Sequence, residues 1–124
     1  MQRVVALSII ASTLLSVSAP PARSESAAER GEAVYKQCAV CHSLKEGVTL
    51  AGPSLLDLIG RKAASVDSFT YSDAMYSADF VWDDEHLAKW VRDAQSIKPG
   101  VRMPAIALSN EDMAALIAYL ETLK

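Results

Sequence analysis

The stretch Cys38-Ala39-Val40-Cys41-His42 decides how this chain is read. It spells C-x-x-C-H, and its two cysteines are the only ones in the 124-residue sequence. Two thiols at this spacing can add to the two vinyl groups on one edge of a porphyrin. The histidine directly after the second thiol then lies under the iron, where imidazole is a good ligand. The motif therefore reads as an attachment site for one covalent haem. Two other chemistries use similar spacing. A thioredoxin-like redox pair needs a βαβ context, and no segment here alternates with period two. A structural zinc needs about four ligands. Beyond Cys38, Cys41 and His42 only His86 and carboxylates remain.

On the N-terminal side, Arg3 is followed by an apolar run from Val4 to Val17 and then by Ser18-Ala19-Pro20-Pro21-Ala22. A charged start, a short apolar stretch and a small-residue exit are the order of a secretory signal peptide. The run is shorter than the roughly 18–20 residues of a membrane span. A retained anchor is the alternative. We expect residues 1–26 to be the leader, cut between 19 and 26, and residues 27–124 to form the single domain. Loss of Arg3, Arg23 and Glu25 leaves 10 basic and 14 acidic residues, moving the net charge from −3 to −4. An acidic balance argues against nucleic acid or an anionic membrane surface as partner. A domain of this size has a marginal core by itself, and a buried porphyrin would give its helices a large apolar body to pack on.

Helical periodicity dominates downstream, which predicts an all-α fold. Ala27 to Gln37 places Ala27, Gly31, Val34 and Tyr35 on one face and runs into the cysteines. A loop is expected from Ser43 to Gly52, a single turn from Ser54 to Ile59, and a short helix from Ser72 to Ser77. Asp83 can cap a longer helix lined by Leu87, Trp90 and Val91, with Asp84 and Glu85 at its positive end. Lys98-Pro99-Gly100-Val101 has the residue order of a type II turn. Ser109 can cap the last helix, with Asp112 placed for a capping box and Met113, Leu116, Ile117 and Leu120 at helical spacing.

A porphyrin iron held by His42 has one position left. His86, Met75, Met103 and Met113 have suitable chemistry. Met113 falls on the apolar face of the last helix, where core packing accounts for it. His86 falls in an acidic first helical turn, where a solvated or capping role accounts for it. Met103 follows a Pro-Gly turn, precedes Pro104 and lies outside any periodic helix. Rigid backbone on both sides suits a thioether held in one place, so Met103 is the expected second ligand.

With these residues in place, the chain from Gly31 to Lys124 resembles the class I cytochromes c, in particular the mitochondrial-like branch that also occurs in bacteria. Cys38, Cys41 and His42 match the haem attachment site. Gly52-Pro53 matches the segment whose proline carbonyl steadies the proximal histidine. Gly60-Arg61-Lys62 and Phe69-Thr70-Tyr71-Ser72-Asp73-Ala74 match the stretches that bring an arginine and a tyrosine to the propionates. Trp82 matches the propionate-binding tryptophan. Pro99-Gly100-Val101-Arg102-Met103 matches the loop that presents the axial methionine. Leu116-Ile117-Ala118-Tyr119-Leu120 matches a terminal helix that crosses the first near Gly31 and Tyr35. Three positions depart from the pattern. Met75 replaces a small polar residue, Trp90 a tyrosine that points at the methionine sulfur, and Val101 a hydroxyl residue.

The resemblance implies a small all-α fold wrapped round one haem c and a soluble, exported, periplasmic one-electron carrier, monomeric and not an enzyme. Its partners would be redox proteins met in transient complexes: a periplasmic dehydrogenase, or a membrane oxidase or reductase. A dedicated cytochrome subunit or acceptor for one periplasmic dehydrogenase would use the same chemistry. A ligand-binding or peroxidase-like haem would need Met103 to leave the iron. Lys36, Lys45, Lys98 and Arg102 lie beside the ligand-bearing segments, so a weakly basic haem edge on an acidic protein is expected.

Overall fold

A computed structural model of the chain describes residues 16 and 18–124. The apolar run expected to form the core of a leader therefore lies almost wholly outside the described residues. Residues 18–25 are exposed and carry no helix or strand. Four helices follow: α1 (Ala27–Tyr35), α2 (Asp73–Tyr76), α3 (Asp84–Ile97) and α4 (Asn110–Glu121). Among the described residues no helix is long and apolar enough to cross a membrane. The only extended pairing among them is an isolated antiparallel bridge between Lys62 and Val81.

Each helix begins where a side chain can take up a free N–H. Ser26 starts α1 with a full capping box. Its hydroxyl accepts from the Glu29 N–H at 3.2 Å, and its own N–H donates to the Glu29 carboxylate at 2.8 Å. Ser72, Asp83 and Ser109 cap α2, α3 and α4. Asp112 accepts no bond from the Ser109 backbone, contrary to the expected box. Its carboxylate turns instead to Arg30 of α1, at 2.9 Å, and the same guanidinium reaches Glu111 at 2.7 Å. Residues 54–60 form successive turns rather than a helical turn, with Asp57 at φ 53°. Ala27 is exposed, so the buried face of α1 is Gly31, Val34 and Tyr35.

The main helix–helix contact is α1 on α4, and Gly31 is its point of closest approach. A Cβ added there would lie 2.0 Å from the Ala115 carbonyl oxygen and 2.6 Å from the Tyr119 Cβ. The backbones can approach because Gly31 has no side chain. Tyr35 and Tyr119 pack beside the crossing with ring centroids 5.8 Å apart. Met113, Leu116 and Leu120 of α4 are almost fully buried, joined by Leu87, Val91 and Ala94 of α3. Gly31→Ala should therefore force the helices apart and cost about 1–3 kcal/mol, as overpacking does. The check is the urea midpoint of the haem-loaded protein, which should fall with the slope unchanged.

Candidate haem site

Beyond Tyr35 the chain continues in tight turns that set the geometry of the motif. The Cys38 N–H donates to the Tyr35 carbonyl at 2.8 Å, and the His42 N–H donates to the Cys38 carbonyl at 2.9 Å. That last bond puts Cys38 and His42 one turn apart on the same side. The Tyr35 hydroxyl donates to the His42 carbonyl at 2.8 Å, which fastens the end of the turn to α1.

The imidazole of His42 is then fixed from the other side. Its Nδ1 lies 2.7 Å from the Pro53 carbonyl oxygen. A carbonyl can only accept, so the proton is on Nδ1 and the lone pair of Nε2 is left for another partner. Burial pushes the pKa of His42 below the ordinary histidine value, with the nearby Arg61 cation acting in the same direction and the Pro53 bond against it. The neutral, ligating form is therefore the favoured one. Gly52 makes room for the ring. A Cβ there would lie 2.4 Å from Cε1 and 2.7 Å from Nδ1.

A second group of residues is positioned by the short pairing of 60–63 with 80–82. Gly60 N–H donates to the Trp82 carbonyl at 2.7 Å, Trp82 N–H to the Arg61 carbonyl at 2.9 Å, and Ala63 N–H to the Phe80 carbonyl at 2.9 Å. This brings Arg61 and Trp82 together. Arg61 is half-buried and spends two N–H groups on the carbonyls of Leu56 at 2.8 Å and Ser54 at 2.9 Å. Three of its five donors remain. Trp82 packs edge-on against Phe80 and Trp90. Tyr71 is buried and accepts the Val66 N–H through its phenol oxygen at 3.3 Å, leaving its own O–H free to donate. Burial raises the Tyr71 pKa, so it stays a neutral donor at neutral pH.

Met103 arrives on the loop between α3 and α4. The indole Nε1–H of Trp90 donates to its sulfur at 3.2 Å. The three departures named above, Met75, Trp90 and Val101, are all buried. His86 is held by the cap of α3 rather than near the cavity: its backbone N–H donates to the Asp83 carboxylate at 2.7 Å, its Nδ1 lies 3.0 Å from the same oxygen and its ring stacks on Phe80. Met113 is core.

All eight site residues read from the sequence, namely Cys38, Cys41, His42, Pro53, Arg61, Tyr71, Trp82 and Met103, line one cavity of about 610 Å³. The rest of its wall is largely apolar, drawn from Leu58, Phe69, Leu87, Val91, Leu116 and Leu120 among others. Among the described residues no acidic side chain lines it. The exposed residues at its rim are Gln37, Val40, Ala51, Thr70, Arg102 and Pro104, of which only Arg102 is charged. The rim is thus mostly uncharged. Lys98 does not line it but donates to the Ser77 carbonyl at 3.2 Å, and Arg102 reaches the Thr70 carbonyl at 3.3 Å. No residue pattern marks the Ser54 and Leu56 carbonyls that hold Arg61, because backbone acceptors carry no residue signature.

These features describe the pocket of a large, flat, mostly apolar group with two acidic tails, joined to the chain through two thiols. The comparisons agree. The cytochrome c family model matches residues 28–124. Cytochrome c2 of Blastochloris viridis is 36% identical over 110 residues, covering 87% of this chain and 86% of its own. Cytochrome c2 of Rhodomicrobium vannielii is 39% identical over 98 residues, covering 75% and 76%. The solved structure of cytochrome cH from Methylobacterium extorquens superposes with a TM-score of 0.69 at 31% identity, over 77% of this chain and 97% of that one. The chain belongs to the cytochrome c family, a class I c-type cytochrome of the bacterial kind. Its cofactor is a covalently attached haem c, and its work is electron transfer.

One consequence concerns Gly52. Gly52→Ala should push the His42 ring off the Pro53 carbonyl and cost about 1–3 kcal/mol. The loss should appear as a lower thermal midpoint together with a shifted histidine Nδ1–H proton resonance. A resonance that stays in place would show that the ring had not moved.

Proposed function

We propose that this cytochrome is an exported, monomeric one-electron carrier that shuttles between a periplasmic donor and a respiratory acceptor. In this reading Cys38 and Cys41 form the two thioethers. His42 through Nε2 and Met103 through its sulfur would ligate the iron, and Pro53 orients the histidine. Arg61, Tyr71 and Trp82 receive the propionates, since desolvated carboxylates need charged or hydrogen-bond donors. Bound haem supplies the ferric–ferrous couple. The chain's own residues fix the ligands and exclude water. Imidazole plus thioether ligation raises the potential and leaves no open position for a substrate, which supports a carrier and not an enzyme.

The observation that carries this reading is the state of the two ligand atoms. The Nε2 lone pair of His42 is left free by the bond from Nδ1 to Pro53, and the Met103 sulfur is held by Trp90 in the same cavity. A thioether restrained in this way argues against a displaceable ligand and the peroxidase-like alternative. The mostly uncharged rim suits the small, short-lived contacts of redox partners.

The ferric protein should show the red-region iron–sulfur charge-transfer band, and its ferrous form should not bind carbon monoxide at neutral pH. Met103→Ala should abolish the band and admit carbon monoxide. A band that survives that substitution would exclude Met103. Trp90→Phe keeps the ring but removes the N–H. Because that bond draws electron density from the sulfur, it favours the ferrous state, so its loss should lower the reduction potential by about 20–40 mV. Protein-film voltammetry measures this directly.

A further inference from the structure

α3 is not a regular helix to its end. Asp93 leaves the helical region, with φ −163° and ψ 81°. The chain then restarts on it: the Ser96 N–H donates to the Asp93 carboxylate at 3.2 Å and the Ser96 hydroxyl to the Asp93 carbonyl at 2.9 Å. Asp93 thus acts as a cap inside the helix, and the turn that follows is re-aimed. Two things around this break face the loop that carries Met103.

The first is Gln95. Its side-chain amide uses both ends on two consecutive residues of the Lys98–Val101 turn. Oε1 accepts the Gly100 N–H at 3.1 Å, and Nε2 donates to the Val101 carbonyl. Gly100 sits at φ +95°, so this is the point where the turn reverses. The second is the Val91 carbonyl, just before the break, which accepts the Ile106 N–H at 2.8 Å. Met103 lies between these anchors, and its sulfur is itself held by Trp90. One helix therefore grips the loop before the methionine, after it and at it.

We propose that Gln95 is a positioning residue for the distal iron ligand, acting through Gly100 and Val101 to keep Met103 in place. This rests on the His42–Met103 ligation above. A thioether is a neutral ligand, and how often it leaves depends on how firmly its backbone is held. An external ligand binds only the Met103-off form, so its apparent affinity rises in proportion to that form's population. Gln95 does not touch the sulfur and does not itself line the cavity, so its influence passes through the turn that carries Gly100 and the cavity-lining Val101.

The test is an imidazole titration of the haem-loaded ferric protein, followed by loss of the red-region band. Gln95→Leu removes both amide bonds and should bind imidazole about three- to tenfold more tightly than the parent. Gln95→Glu keeps the acceptor for Gly100 but loses the donor to Val101, and should also bind more tightly. It carries the test if the leucine variant fails to fold. Ser109→Ala serves as the control for a general loss of stability. It removes the α4 cap, should lower the thermal midpoint, and should bind imidazole as the parent does. The clamp is overturned if the folded Gln95 variants keep the parent affinity, or if Ser109→Ala matches their gain. A parent protein with no red-region band would instead remove the Met103 ligation, and the clamp with it.

Discussion

Gly31 lets the backbone of α1 rest against the Ala115 carbonyl of α4, and the rest of the molecule is hung from that crossing. The cysteine motif follows α1 within one turn, so the angle of the crossing sets where both thiols and His42 lie. The adjacent face of α4 contributes Leu116 and Leu120 to the cavity wall. A single close approach of two backbones therefore aligns the covalent anchor of the haem with the apolar surface it lies against. Exposed ion pairs from Arg30 to Glu111 and Asp112 orient the same helices, but pairs of this kind contribute little energy.

The two sides of the cavity are built on different principles. Around His42 the supports are backbone carbonyls and a glycine: Pro53 takes the Nδ1 proton, and Gly52 leaves room for the ring. Around Met103 the supports are side chains and a carbonyl of one broken helix. Trp90 holds the sulfur, Gln95 the turn before it and Val91 the strand of loop after it. The histidine is locked by covalent neighbours and a tight turn. The methionine depends on how α3 is bent.

Residue types with chemistry of their own were legible in the sequence. Cys38, Cys41 and His42 are adjacent and have a spacing with one main use. Met103 stood out because Pro-Gly and Pro104 isolate it from any helix. All of these, with Pro53, Arg61, Tyr71 and Trp82, line the same cavity. The family pattern was needed for the last four, since an arginine, a tyrosine or a tryptophan is unremarkable alone. Features that depend on where the backbone goes were not legible. The pattern of Leu87, Trp90 and Val91 continues smoothly into Ala94, so nothing in the periodicity marked the break at Asp93. Gln95 carries no residue signature of its own, and its bonds to Gly100 and Val101 follow from the backbone path. The Ser26–Glu29 box fits the S-x-x-E pattern but was not among the expected caps. Of Lys36, Lys45, Lys98 and Arg102, which lie beside the ligand segments in the chain, only Arg102 lines the cavity itself.

The pairing of α1 with α4 also bears on the order in which the protein matures. Arg30 and Asp112 are 82 positions apart, so α1 precedes its packing partner by most of the domain. A nine-residue helix is marginal when alone. While the chain is made from its N-terminal end, the cysteines come out on a segment with nothing to pack against. They are then on loose chain, open to a rigid macrocycle that must reach both thiols. In the finished fold Cys38 is buried and Cys41 half-buried. The contact that holds the finished site in register thus cannot form until the last helix has been made, well after the two thiols.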